Sequence, residues 1–207
     1  MARSTPGVTR RRLIDAAVRL FATKGYAATS VADIQVACGL TSGSGALYKH
    51  FPSKRALLEE AVRRHLEEVA ERSRTALLPD PGAVAEEDGR AALRRMAELV
   101  WDVIETDRDL IRIMLREFEG FPELFERMWQ GVLASVYRQG AAWVAARRGA
   151  GGREVADPEA TAAVLVASLT YYPLLRVLIG HSPGDVEQER FLAAWVDHAA
   201  TTLGLPG

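Results

Sequence analysis

The sequence is poor in several things that would narrow its function. It has one cysteine, Cys38, in 207 residues, which excludes a disulfide framework and a cysteine-built zinc site. Its four histidines, His50, His65, His181 and His198, lie far apart with no H-x-x-x-H pair, so no resident metal is expected. No apolar run approaches the ~20 residues that a membrane span needs. No apolar stretch follows the N-terminal arginines that could act as a signal peptide. There is no strand-type alternation and no internal repeat. Neither the Ser42 to Gly45 run nor Gly149 to Gly152 fits a phosphate-binding G-x-x-x-x-G-K-[ST] loop. No Ser-His-Asp set can be argued from spacing. The expectation is a cytoplasmic protein that is not an enzyme and carries no cofactor.

What is present is a globular composition, 48% hydrophobic and 26% charged, with enough chain to bury a real core. The net charge of -1 hides an asymmetry. Residues 1–55 hold nine Lys/Arg against Asp15 and Asp33, a net +7, which leaves -8 on residues 56–207. A basic head on an acidic body points the head toward a polyanion, although a merely solvated basic face would show the same charge.

Helical periodicity runs through the chain. Thr9 opens a first helix with Leu13, Ala17, Leu20 and Phe21 on one face, ended by Gly25 as a left-handed cap. Ser30 and Asp33 form a capping box for a second helix, with Val31, Ile34 and Ala37 inward. Gly39 turns the chain. Thr41 is expected to cap a third helix reaching Phe51, and Pro52 stops it. Ser53 opens a fourth, to about Leu77. After the loop at 78–88, further helices are expected to Glu105, from Asp107 to Glu119, from Pro122 to Arg148, from Pro158 to Gly180 with a kink at Pro173, and to about Leu203. The fold class is all-α with about nine helices.

Thr29 to Leu58 (TSVADIQVACGLTSGSGALYKHFPSKRALL) therefore reads as helix, glycine turn, short helix and new helix start. This is a helix-turn-helix. The ordered set Leu20-Phe21, Gly25-Tyr26, Thr29-Ser30-Val31, Asp33-Ile34, Ala37-Cys38-Gly39-Leu40, Leu47-Tyr48-Lys49-His50-Phe51, Ser53-Lys54 and Leu57-Leu58 resembles the tetracycline-repressor (TetR) family of bacterial transcription regulators. The likeness is dense over Leu13 to Leu58 and elsewhere rests on helix count and two apolar C-terminal helices. One feature departs from the family pattern. The stretch between Gly39 and Tyr48 is about two residues longer than usual, worth ~200° of helical rotation, so base contacts do not transfer by offset.

The resemblance implies a DNA-binding head, residues 1–55, and a ligand-binding and dimerisation body, residues 56–207. Small residues Ser42, Gly43, Ser44 and Gly45 allow close backbone approach to DNA. Tyr48, Lys49 and His50 resemble the family's backbone and base-edge contacts. Arg10, Arg11, Arg12 and Lys54 suit phosphates, and Ser30 and Thr41 complete the candidate set. Alternatively, Tyr48 is a core aromatic and the Gly-Ser run a plain loop.

In the body, His65, Met96, Trp101, Arg112, Met114, Phe118, Phe125, Trp129, Tyr137, Tyr171 and Tyr172 are candidates for an effector pocket, with ordinary core packing as the other reading. Ala160, Val164, Ala167, Tyr171 and Leu175 share a face of the eighth helix. Phe191, Trp195, His198 and Thr202 recur at helical spacing on the ninth. These imply a homodimer seam, or packing within one chain. The implied function is a ligand-responsive repressor that binds a palindromic operator in double-stranded DNA and is released by a small apolar effector. The rivals are a DNA-binding regulator without an effector and a helical enzyme. Cys38 reads as a small core residue.

Overall fold

The computed structural model describes residues 6–43, 45–76, 88–146 and 155–205; Ser44 and the 78–87 and 149–152 stretches read above as loop and linker lie outside these. All regular elements among the described residues are helical. They are α1 (Pro6–Lys24), α2 (Val31–Ala37), α3 (Lys54–Ala76), α4 (Gly89–Thr106), α5 (Arg108–Glu117), α6 (Pro122–Met128), a π-helical turn (Trp129–Leu133), α7 (Ala134–Ala146), α8 (Pro158–Ile179) and α9 (Gln188–Leu203).

Local chemistry sets most boundaries. Gly25 sits at φ +88° and ends α1, a conformation glycine adopts without a Cβ clash. The Ser30–Asp33 box caps α2, with Asp33 N donating to Ser30 Oγ at 3.1 Å and Ser30 N to Asp33 Oδ2 at 2.9 Å. These bonds hold the Asp33 carboxyl below its ordinary value. Asp157 accepts from Ala160 N at the start of α8, and Gly180 at φ +87° closes it. Pro173 lies inside α8 without ending it.

Two expectations are corrected. Residues 41–51 do not form a third helix; 46–50 make a turn. The expected helix from Pro122 to Arg148 is not α-helical throughout: a π-helical turn at Trp129–Leu133 interrupts its i→i+4 hydrogen bonding. In addition, α8 is, by length and composition only, long and apolar enough to cross a membrane, where no such run is expected from the sequence.

The chain packs as two compact units, residues 1–67 with 109–128, and 68–108 with 129–207. The division differs from the cut expected at residue 55 because α3 supplies Leu57, Leu58, Ala61 and Val62 to the first core. That core also holds Leu13, Ala17 and Phe21 of α1, Ile34 of α2, and Ile113, Met114 and Leu124 of α5 and α6. Polar ties accompany it. Glu117 Oε1 accepts from Tyr26 N at 3.1 Å, and the Tyr26 ring stands edge-on to Phe121 at 4.7 Å.

The second unit is built on α4, α7, α8 and α9. Leu93, Trp101, Trp143, Leu165, Leu169, Trp195 and Leu203 form its centre. Tyr172 stacks on Phe191 at 4.5 Å. Its hydroxyl donates to Pro183 O and accepts from Val186 N, which pins the turn before α9. Exposed pairs Arg90–Asp197 and Arg94–Glu189 add little.

Candidate nucleic-acid interface

The helix-turn-helix region is assembled from side chains that mostly hold one another. Arg12 Nη2 donates to Cys38 O at 2.9 Å, and Cys38 Sγ returns a bond to Arg12 O at 3.2 Å. The arginine thus closes the C-terminal end of α2, where carbonyls lack helical partners. Cys38 is buried, and burial pushes its thiol up. Arg10 is ion-paired with Glu60 and lies 4.9 Å over the Phe51 ring. Lys54 Nζ donates to Tyr26 O at 2.7 Å and Thr29 O at 2.8 Å, above the Tyr26 ring.

Three of the cations assigned to phosphate are therefore engaged internally. Sequence spacing cannot reveal this, because their carbonyl, carboxylate and ring partners are brought in by the tertiary fold. Arg11 remains exposed on α1. Arg11→Ala is expected to lower the slope of log affinity against log salt by about one. Arg12→Ala should instead cost about 1 kcal/mol of stability through the lost cap. Salt titration of DNA binding and urea denaturation separate the two.

Glu60 was not singled out in the sequence. Its carboxylate accepts from Arg63 and Arg10, and these bonds, that with Arg63 foremost, lower it from 4.5 to about 2. Because the folded value lies below the unfolded one, its stabilisation is complete above pH ~4.5 and lost as pH falls toward 2. Glu60→Gln should be less stable than wild type at pH 7, and the difference should shrink between pH 4.5 and 2. Urea midpoints measured across that range test this.

The outward face carries the candidate reading groups. Tyr48 is 59% exposed, so the core-aromatic reading of it fails. Lys49 is exposed, and His50 is half-buried. Thr41, Ser42 and Gly43 are exposed too, and Gly45 half-buried. Ser30 Oγ is engaged with Asp33. Leu47 and Phe51 are buried and anchor the turn from beneath; His50 N and Phe51 N both donate to Leu47 O at 2.9 Å. The exposed Val36 on α2 was missed; it sat in an apolar stretch that reads as core.

The candidate effector residues fall into separate groups. His65, Arg112, Met114, Phe118 and Phe125 belong to the first unit; there His65 and Met114 are buried, and Phe118 lies 6.0 Å from Phe125. In the second unit Met96 and Trp101 are core, Trp129 lies 6.3 Å from Tyr137, and Tyr171 faces outward. Of the candidate seam residues, Ala160, Val164, Ala167, Tyr171 and His198 are exposed, and Leu175 and Thr202 half-buried. Trp195 and Phe191 turn inward. The Trp195 indole donates to Leu165 O and Ser168 Oγ, so this ring packs its own chain.

A capped α2, a glycine turn and, in place of a regular second helix, a seated turn presenting Tyr48 and Lys49 from a basic head point to a DNA-binding regulator. Comparison with known proteins agrees. Residues 13–61 match the family model for bacterial regulatory proteins of the tetR family, and residues 91–202 the C-terminal domain of AefR-like transcriptional repressors. The chain belongs to the TetR family. The HTH-type transcriptional repressor KstR2 of Rhodococcus jostii is 31% identical over 154 residues, covering 68% of this chain and 72% of the relative. The HTH-type transcriptional regulator CymR of Pseudomonas putida is 31% identical over 141 residues, 61% and 66% of the two chains. A transcriptional regulator from Saccharomonospora viridis, solved in complex with choline, shares the fold with TM-score 0.73 at 20% identity, over 94% of this chain and 96% of that one.

Proposed function

We propose that this protein is a cytoplasmic, ligand-responsive repressor that binds a palindromic operator as a homodimer and is released by a small apolar effector. The observation that carries the reading is the seated turn at 46–50, with Tyr48 and Lys49 exposed on a head of net +7. Residues 1–55 supply DNA contact, with Arg11, Thr41, Ser42, Gly43, Tyr48, Lys49 and His50 as its groups. Residues 56–207 supply dimerisation and effector binding. Footprinting with the purified protein on its own genome tests this; finding no site preferred over random DNA would sink it.

The dimer is supported by α8. Val164 and Tyr171 are 63% and 64% exposed, Leu178 and Ile179 are also exposed, and all lie on a helix whose other side is core. A self-complementary apolar face suits a two-fold interface. On α9 the candidate His198 is exposed, and exposed Ala194 stands beside it, where Trp195 and Phe191 turn inward.

The effector reading is supported by the stretch from Trp129 to Tyr137. It includes the π-helical turn, and although rich in Trp, Val, Leu and Tyr it contains no fully buried residue. Apolar surface left half-covered beside a π-helical turn suits a small apolar ligand. The ligand shifts the equilibrium by its differential affinity, and a coupling of ~1–3 kcal/mol corresponds to roughly a 5- to 150-fold loss of operator affinity. Of the four tryptophans, Trp129 is exposed while Trp101, Trp143 and Trp195 are buried. Effector binding should therefore change the fluorescence of wild type and not that of Trp129→Phe. A ligand that binds without weakening operator affinity would favour a regulator whose DNA binding is not effector-controlled.

A further inference from the structure

The longer connection between Gly39 and Tyr48 poses a physical problem. Gly43 and Gly45 both take left-handed backbone, at φ +75° and +64°, and, their chain neighbours aside, no described atom lies within 4 Å of where a Cβ would stand at either. Among the described residues, nothing outside the loop's own chain neighbours would pack on a side chain at those two points. The turn that follows is seated by two buried side chains, Leu47 near its start and Phe51 just past its end, but apolar packing alone leaves the backbone N–H groups that open the turn to be satisfied elsewhere.

Gln35 supplies the second anchor. It lies on α2, only 2% exposed. Its side-chain amide faces two donors, Ala46 N and Leu47 N; with the oxygen assigned to that side, because only an acceptor satisfies both, they lie 3.1 and 3.3 Å from it. Its backbone carbonyl accepts from Leu40 N at 2.9 Å. One residue thus ties down both ends of the lengthened connection. It performs the capping that Thr41 was expected to perform, because a buried acceptor reaching two open N–H groups satisfies them out of reach of water.

We propose that Gln35 is a positioning residue for operator recognition, setting the register in which Tyr48, Lys49 and His50 meet the bases. It does not touch DNA. Its side-chain oxygen compensates for the two added residues and fixes the rotation of the reading turn. The proposal rests on the reading of 46–50 as the base-contacting segment.

The test compares wild type, Gln35→Met and Gln35→Glu at pH 7, with operator and random-sequence duplexes and amide exchange by NMR. Gln35→Met removes the acceptor at nearly constant volume. The ratio of operator to random-DNA affinity should fall roughly 10- to 100-fold, the scale set by unsatisfied buried donors, with random-DNA affinity itself unchanged. The Ala46 and Leu47 amides should exchange faster, while those of α1 do not. Gln35→Glu keeps an acceptor oxygen, whose charge-assisted bonds from the two N–H groups offset the cost of burying the carboxylate, and should hold the ratio and both exchange rates near wild type; its added charge acts on both duplexes and cancels in the ratio. A wild-type ratio and wild-type exchange in Gln35→Met would overturn the proposal, as would a Gln35→Glu variant that loses both, and this second arm decides if Gln35→Met does not fold. A wild-type protein that prefers no operator would instead overturn the DNA-reading function, and the exchange rates would still report whether Gln35 holds the turn.

Discussion

Trp195→Glu is expected to unfold the second unit rather than only separate two protomers. Trp195 is 5% exposed within its own chain, and its indole N–H is bonded to Leu165 O and Ser168 Oγ on α8. Removing so large a buried ring costs about 3–5 kcal/mol, and placing a carboxylate there adds a desolvation penalty. Domain stabilities are typically ~5–15 kcal/mol, so much or all of the unit's stability is at stake. Thermal unfolding followed by circular dichroism should show a lost or greatly lowered transition for α4, α8 and α9. A variant with a wild-type melting temperature would mean that the ring does not sit in this core.

The double variant Val164→Glu with Tyr171→Glu should behave in the opposite way. Both side chains are mostly exposed on α8, seven residues apart and on one face, and neither is among the helix's buried residues. Exposed substitutions usually change folding stability by only about 0.5 kcal/mol. In a two-fold seam, however, they would bring four carboxylates together without partners. Sedimentation should therefore show monomer at concentrations where wild type is dimeric, with an unchanged melting temperature. Operator affinity should fall at least ~100-fold, because two half-sites engaged together gain that much from linkage. A folded dimer with wild-type operator affinity would place the seam elsewhere.

These two variants stand on adjacent helices, and their opposite outcomes show where sequence reading loses its grip. Apolar residues at 3- to 4-residue spacing mark a face that avoids water. They do not say whether the face is covered by the same chain or by a second copy. On α8 the spacing of Ala160, Val164, Ala167 and Tyr171 picked out a face that the chain leaves exposed. On α9 the pattern Phe191, Trp195, His198 and Thr202 mixed the two: Trp195 is buried in the chain's own core with Phe191 packed against it, while His198 is exposed and Thr202 half-buried.

Local signals were legible because their causes are local. The Ser30–Asp33 box, Gly25 at positive φ, Asp157 and Gly180 at the ends of α8, and the ordered motif from Leu13 to Leu58 all act within a few residues. The all-helical class and the family likeness follow from the same short-range chemistry. Other features required partners distant in sequence. Arg12 meets Cys38 O, Lys54 meets Tyr26 O and Thr29 O, and Arg10 meets Glu60. These pairings turned three expected phosphate contacts into internal ties. The joining of residues 109–128 to the first core, and the replacement of a third helix by a turn seated on buried Leu47 and Phe51, were likewise decided by tertiary packing. A sequence states which groups need partners; the fold alone determines which partner each one reaches, because that choice depends on the whole core closing at once.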